Sequence, residues 1–243
     1  MRNAVLAGAV VGLAIVTVWL AASELAWPAR AFTTFLVAVL PPLLVAQVGI
    51  ADEVPDRVPR RALYISSAVG IWLLAFLAVA AGLGGGFSTA TLGLTAAAAG
   101  PLVAWSAGVT AAGLLLMAAG RVLRVRESRI LTYLLPRTAG EKLGFAALSV
   151  SAGVGEELAF RGFLIPALDI ATGSLAVAVL LSSAIFGLLH AYQRSAGVLR
   201  ATLLGALLAA PFVATGSLLP SMIAHTALDL LAGLWLSDWL LRR

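Results

Sequence analysis

The chain has no cysteine, two histidines and only 11% charged residues among its 243. The first absence excludes a disulfide framework and any thiolate metal site, and leaves the redox compartment unmarked. The scarcity of charge leaves no room for a soluble domain: 61% of the residues are hydrophobic and the mean hydropathy is +1.04, the composition of a polytopic membrane protein. The net charge of +5 is not a nucleic-acid signal, because the positive residues gather in the short segments between apolar runs.

At about 20 apolar residues per crossing, the sequence predicts eight transmembrane helices, near 4–24, 31–51, 62–83, 95–119, 143–168, 174–192, 197–215 and 218–240, and so an all-α polytopic bundle. Met1-Arg2-Asn3 ahead of Ala4 to Ala22 imitates a secretory signal, but the apolar run is longer than a signal core and further spans follow, so it reads as an uncleaved first span. Pro41-Pro42 should kink the second span. Gly82 to Gly86 should end the third in a flexible turn. Small residues in the fourth, Ala96 to Gly100 with Ala107, Ala111 and Ala112, suit close helix packing.

Two polar connections separate spans. One runs from Asp52 to Arg61; the other, Arg121 to Lys142, is basic and carries enough apolar side chains to lie on anionic headgroups, although its simpler use is to set topology. With eight crossings one side receives Arg2, Arg57, Arg60, Arg61, Arg121, Arg124, Arg126, Arg129, Arg137, Lys142, Arg194, Arg200, Arg242 and Arg243, and the other only Arg30. The positive-inside rule then places both termini in the cytoplasm.

Against this apolar background, Gly155-Glu156-Glu157-Leu158-Ala159-Phe160-Arg161 puts three charges inside one span. A mid-bilayer charge costs about 2.5–3.5 kcal/mol on insertion scales, so such residues face a protein or water-filled interior and mark function. On a helix Glu157 and Arg161 stand at i and i+4 and can pair, whereas Glu156 is turned about 100° away and left free for chemistry. A Glu157–Arg161 pair that only locks helices together leaves the second glutamate unexplained.

Both histidines also fall within spans. His190 ends Phe186-Gly187-Leu188-Leu189-His190, and His225 and Asp229 share a helix face at i and i+4. Counted from their turns, Glu156 and His190 reach depths of about 20 and 24 Å, while Asp229 reaches about 14 Å and His225 less, so that all line one cavity only approximately.

Taken in order, Glu156-Glu157-x-x-x-Arg161, Phe186-x-x-x-His190 and His225-x-x-x-Asp229 resemble the three motifs of the CPBP family, the CAAX-protease and bacteriocin-processing membrane proteins formerly called Abi. The resemblance spans Leu143 to Trp235 and divides the chain into an N-terminal four-span region with its basic loop, 1–142, and a catalytic membrane core, 143–243. The last motif ends in Asp229 where many members carry asparagine, a choice the family tolerates.

The resemblance implies an intramembrane endopeptidase acting on a membrane-associated peptide or protein. Glu156 matches the residue that activates water, His190 and His225 match groups that position that water or stabilise the oxyanion, Asp229 matches the polar partner of the last histidine, and Glu157 with Arg161 matches the supporting pair. The chemistry agrees, since a carboxylate in a low-dielectric cavity is a better base than one in water and imidazoles can serve a developing oxyanion. Glu156, His190 and His225 are also a possible zinc set with an open position for water. A glutamate beside an arginine suits water activation better than tight cation binding, which favours a reaction without a cofactor. Two other classes are a non-catalytic immunity or scaffold protein and a transporter with a midplane ion site; the paired histidines and the lack of an inverted repeat count against the transporter.

Overall fold

The structure is a computed structural model that describes residues 12, 14–20, 23–46, 48, 53–123 and 128–241. Among the described residues it is helical with no strand. We label the main helices α1 (Trp27–Ala46), α2 (Arg60–Gly84), α3 (Ala99–Val122), α4 (Ala139–Thr172), α5 (Leu175–Leu189), α6 (Arg194–Thr215) and α7 (Leu219–Leu230). Among the described residues five are long and apolar enough to cross a membrane: α1, α2, α3, α4, and α6 with the turn before it. Most of the predicted first span lies outside the described residues, and the predicted last one is divided into α7, a π turn over Leu231–Trp235 and a short helix Ser237–Leu241.

Helix ends follow local chemistry. Thr138 and Glu141 form a reciprocal capping box at the start of α4, and Ser174 caps α5. Gly173 and Gly216 end α4 and α6 at φ +66° and +68°, the left-handed conformation that glycine adopts without a Cβ penalty. Pro41-Pro42 sits within α1, whose irregularity takes the form of a π turn at Phe35–Val39, one turn ahead of the missing backbone donors.

α4 is the central element, packing on α2, α5 and α7, while α5 pairs with α6 and α3 closes the bundle against α6 and α7. Gly153 is needed where α4 meets α7, because a Cβ there would lie 2.8 Å from the backbone nitrogen of Thr226. Polar bonds knit the helices further: Trp72 donates to Ser151 at 3.1 Å, and Ser221 donates to the Leu208 carbonyl at 2.8 Å.

The small residues of α3 pack differently from expectation. Ala107, Ala111 and Gly100 are exposed, and Ala107 and Ala111 line an outer groove with Ile223 and Ala227. Helical period puts Ser106, Val109 and Gly113 inward instead, with Gly113 against Leu228. Small size permits close approach but does not choose a face.

The two ends of the bundle are chemically distinct. At one end Arg60 stacks over Tyr133 at 4.2 Å and donates to its carbonyl at 2.6 Å, Tyr64 donates to the Leu134 carbonyl at 2.7 Å, and Arg60 lies 3.5 Å from Glu141. The basic connection thus forms a short helix, Arg129–Leu134, held on α2 and packed against the turn Ala191–Gln193. At the other end the backbone N–H of Leu218 donates to Gly93 at 2.9 Å and Ser217 donates to Thr95 at 2.7 Å, and both residues are almost fully buried.

Candidate active site

Glu157 is the last residue of the regular part of α4, and a π-helical stretch, Leu158–Leu164, follows at once. Such turns add a residue and rotate the side chains that follow, and they recur at functional sites. Here every residue from Ala159 to Leu164 is buried, and the hydroxyl of Ser182 on α5 donates to the Phe160 carbonyl at 2.9 Å.

The buried charges pair with one another. Arg161 Nη1 donates to Glu157 Oε1 at 2.9 Å, and the predicted i, i+4 pair is formed with both side chains removed from solvent. Arg161 Nη2 donates to the Gly205 carbonyl on α6 at 2.9 Å, and its guanidinium lies 4.6 Å from the centre of the Phe186 ring on α5. The same Glu157 Oε1 accepts from Nδ1 of His225 on α7 at 2.8 Å. One carboxylate oxygen therefore joins α4 to α7 directly and to α5 and α6 through the arginine. Glu157 Oε2 is buried and has no hydrogen-bond partner among the described residues.

Glu156 points another way. Its side chain is 17% exposed, and Oε2 stands 3.8 Å from His225 Nε2. Asp229 Oδ2 lies 4.0 Å from the same nitrogen on a side chain 37% exposed. The short bond of His225 goes to Glu157, and Asp229 approaches the opposite ring nitrogen beyond hydrogen-bond distance. His225 meets Glu157 although the residue count from its turn placed it shallower. Ser217 and Leu218, in the turn that precedes α7, are buried against the protein.

His190 caps the C-terminus of α5 with Nδ1 2.9 Å from the Phe186 carbonyl oxygen. At 15 residues α5 is about 22 Å long, shorter than a hydrocarbon core of about 30 Å. Phe186 links the two imidazoles, with ring centroids 4.7 Å from His190 and 6.1 Å from His225. Sequence reading named Phe186 only as a motif position and missed the Gly205 carbonyl, for which a main-chain acceptor leaves no residue-type signal.

Among the described residues no group of three or more His, Cys, Asp or Glu side chains stands close enough to hold a metal ion. Nδ1 of His225 is taken by Glu157 and Nδ1 of His190 by a carbonyl.

Residues 138–231 match the family model described as Rce1-like, type II CAAX prenyl endopeptidase Rce1-like. All six predicted site residues fall inside that stretch. No curated protein and no solved structure matches the chain. The match and the five apolar helices make the chain an integral membrane protein.

Proposed function

We propose, from the match of residues 138–231 to the Rce1-like family model, that this protein is an intramembrane endopeptidase hydrolysing a peptide bond of a membrane-associated protein or peptide. The observation that carries the reading is the division of labour between adjacent carboxylates. Glu157 is engaged by Arg161 and His225, while Glu156 keeps a partly exposed carboxylate facing His225.

In this reaction Glu156 takes a proton from water as the water oxygen bonds to the carbonyl carbon, and the carbonyl π electrons move onto oxygen. Collapse of the tetrahedral intermediate re-forms the carbonyl and breaks the C–N bond. The departing nitrogen receives the proton that Glu156 held. His190 positions the attacking water, His225 lies between the carboxylates, and Asp229 completes the polar wall around His225 Nε2. Glu157 and Arg161 hold the frame. Glu156 activates the water itself, without zinc. The termini and the arginine-rich end of the bundle face the cytoplasm, as the distribution of positive charge supports.

The test compares membranes of cells carrying the wild-type chain, no chain, or Glu156→Gln, with released and accumulated peptides read by mass spectrometry. The expected result is a set of cleavage products present only with the wild type. A well-folded Glu156→Gln variant that yields the full set would remove Glu156 as the base and favour a scaffold, the role for which the Glu157–Arg161–His225 lock is sufficient.

A further inference from the structure

The fixed charges of the site are sorted by depth. Arg161 is 1% exposed, with Nη1 given to Glu157, Nη2 to the Gly205 carbonyl and its guanidinium against the Phe186 ring. Glu157 is fully buried beside it. The side chains left open are two carboxylates, Glu156 and Asp229, whose Oε2 and Oδ2 stand 3.8 and 4.0 Å from the same His225 Nε2. Asp229 is the more open of the two, at 37%, and shares the His225 face of α7 at i, i+4, so its carboxylate is on the reacting side of that helix and away from lipid. α5 and α7 carry no lysine or arginine, and Arg200 near the start of α6 donates to Gln193 Oε1 at 3.0 Å.

We propose that Asp229 is a specificity-determining residue, and that its charge makes the site take neutral or basic peptide segments and disfavour a short tail ending in a free carboxylate. The inference rests on the peptidase reading and names its substrate class. Cleavage close to a chain end brings that end into the site, because three extended residues span at most about 10 Å. The terminal carboxylate of a three-residue leaving tail is then held near two carboxylates, with the arginine that would offset the repulsion packed behind Glu157 and Phe186. Like charges about 8–10 Å apart at an effective dielectric constant of about 20 disfavour such a complex about 10- to 30-fold. A lysine or arginine near the scissile bond reverses the sign. Glu156 adds to the field until it takes its proton, and Glu157 is balanced by Arg161 within the buried pair. Asp229 has no part in bond making or breaking, so its charge acts on which peptide enters.

The experiment uses the full chain in detergent with two farnesylated peptides of one Cys-a-a-X sequence, the first ending in a free carboxylate and the second in a carboxamide, with products read by mass spectrometry. The expected result is a kcat/KM for the carboxamide about 10- to 30-fold above that for the carboxylate. Asp229→Asn, which keeps the shape and removes the charge, is expected to lower that ratio at least about threefold, and Asp229→Glu to retain it. The ratio is taken within each protein, so a general loss of activity or stability does not imitate the effect. A wild type that cuts both peptides equally well, or an Asp229→Asn ratio equal to that of the wild type, would overturn the proposal while leaving an active wild type and an inactive Glu156→Gln to support the peptidase. An Asp229→Asn protein that cuts neither peptide would also overturn it, by making Asp229 indispensable to the reaction itself. Wild-type protein that cleaves neither peptide and cannot be told from Glu156→Gln would overturn the peptidase reading, and this inference with it.

Discussion

His225 and Glu157, 68 positions apart in sequence, meet in a buried 2.8 Å hydrogen bond that joins α7 to α4 at the oxygen already held by Arg161. A single acceptor atom thus orients the imidazole, anchors the guanidinium and brings Glu156 up to the opposite ring nitrogen.

The lock should be visible as stability. Glu157→Gln leaves the Arg161 charge buried and uncompensated, which costs about 3–5 kcal/mol in soluble interiors. We expect Glu157→Gln and Arg161→Ala to melt well below the wild type in detergent, with activity falling partly for that reason. Glu156→Gln, whose carboxylate is outside the lock, should melt with the wild type. Equal melting of all four proteins would show that the buried pair does not hold the bundle.

The close approach of α4 and α7 makes Gly153 sensitive to a single methyl. Gly153→Ala places a carbon 2.8 Å from the Thr226 backbone nitrogen, and overpacking of this kind costs about 1–3 kcal/mol. The expected outcome is lower thermal stability together with reduced cleavage, because the helices that carry Glu157 and His225 are pushed apart. Gly108, on the outer face with nothing near its Cβ position, should accept alanine without either effect.

Metal content gives an independent check on the proposed chemistry. After exhaustive chelation the purified protein should retain its activity and contain well under one equivalent of zinc. Stoichiometric zinc whose removal abolishes cleavage, and whose return restores it, would replace the metal-free mechanism.

Topology is open to direct measurement. A reporter fused after Arg243 should read cytoplasmic, and one placed in the Gly84 to Ser88 turn should read external. Both on the same side would mean that the span count is wrong.

Much of this protein is determined by sequence alone. Apolar runs interrupted by arginine-rich connections dictate a membrane helix bundle, since backbone polar groups in lipid must be satisfied within helices. The i, i+4 spacing of Glu157 and Arg161 commits them to one helix face, and the pair forms. The order of the three motifs is equally legible and agrees with the family match over 138–231.

Tertiary structure decided what local spacing does not encode. Which carboxylate would take the short bond from His225 depended on how α7 packs against α4, a tertiary contact that spacing along either helix leaves open. Spacing along α7 offered Asp229, whereas packing delivered Glu157. The second anchor of Arg161 is a main-chain oxygen on α6, which any residue type can supply. The inward face of α3 was likewise fixed by helix rotation against α6 and α7, a rigid-body property that the small residues along it leave open.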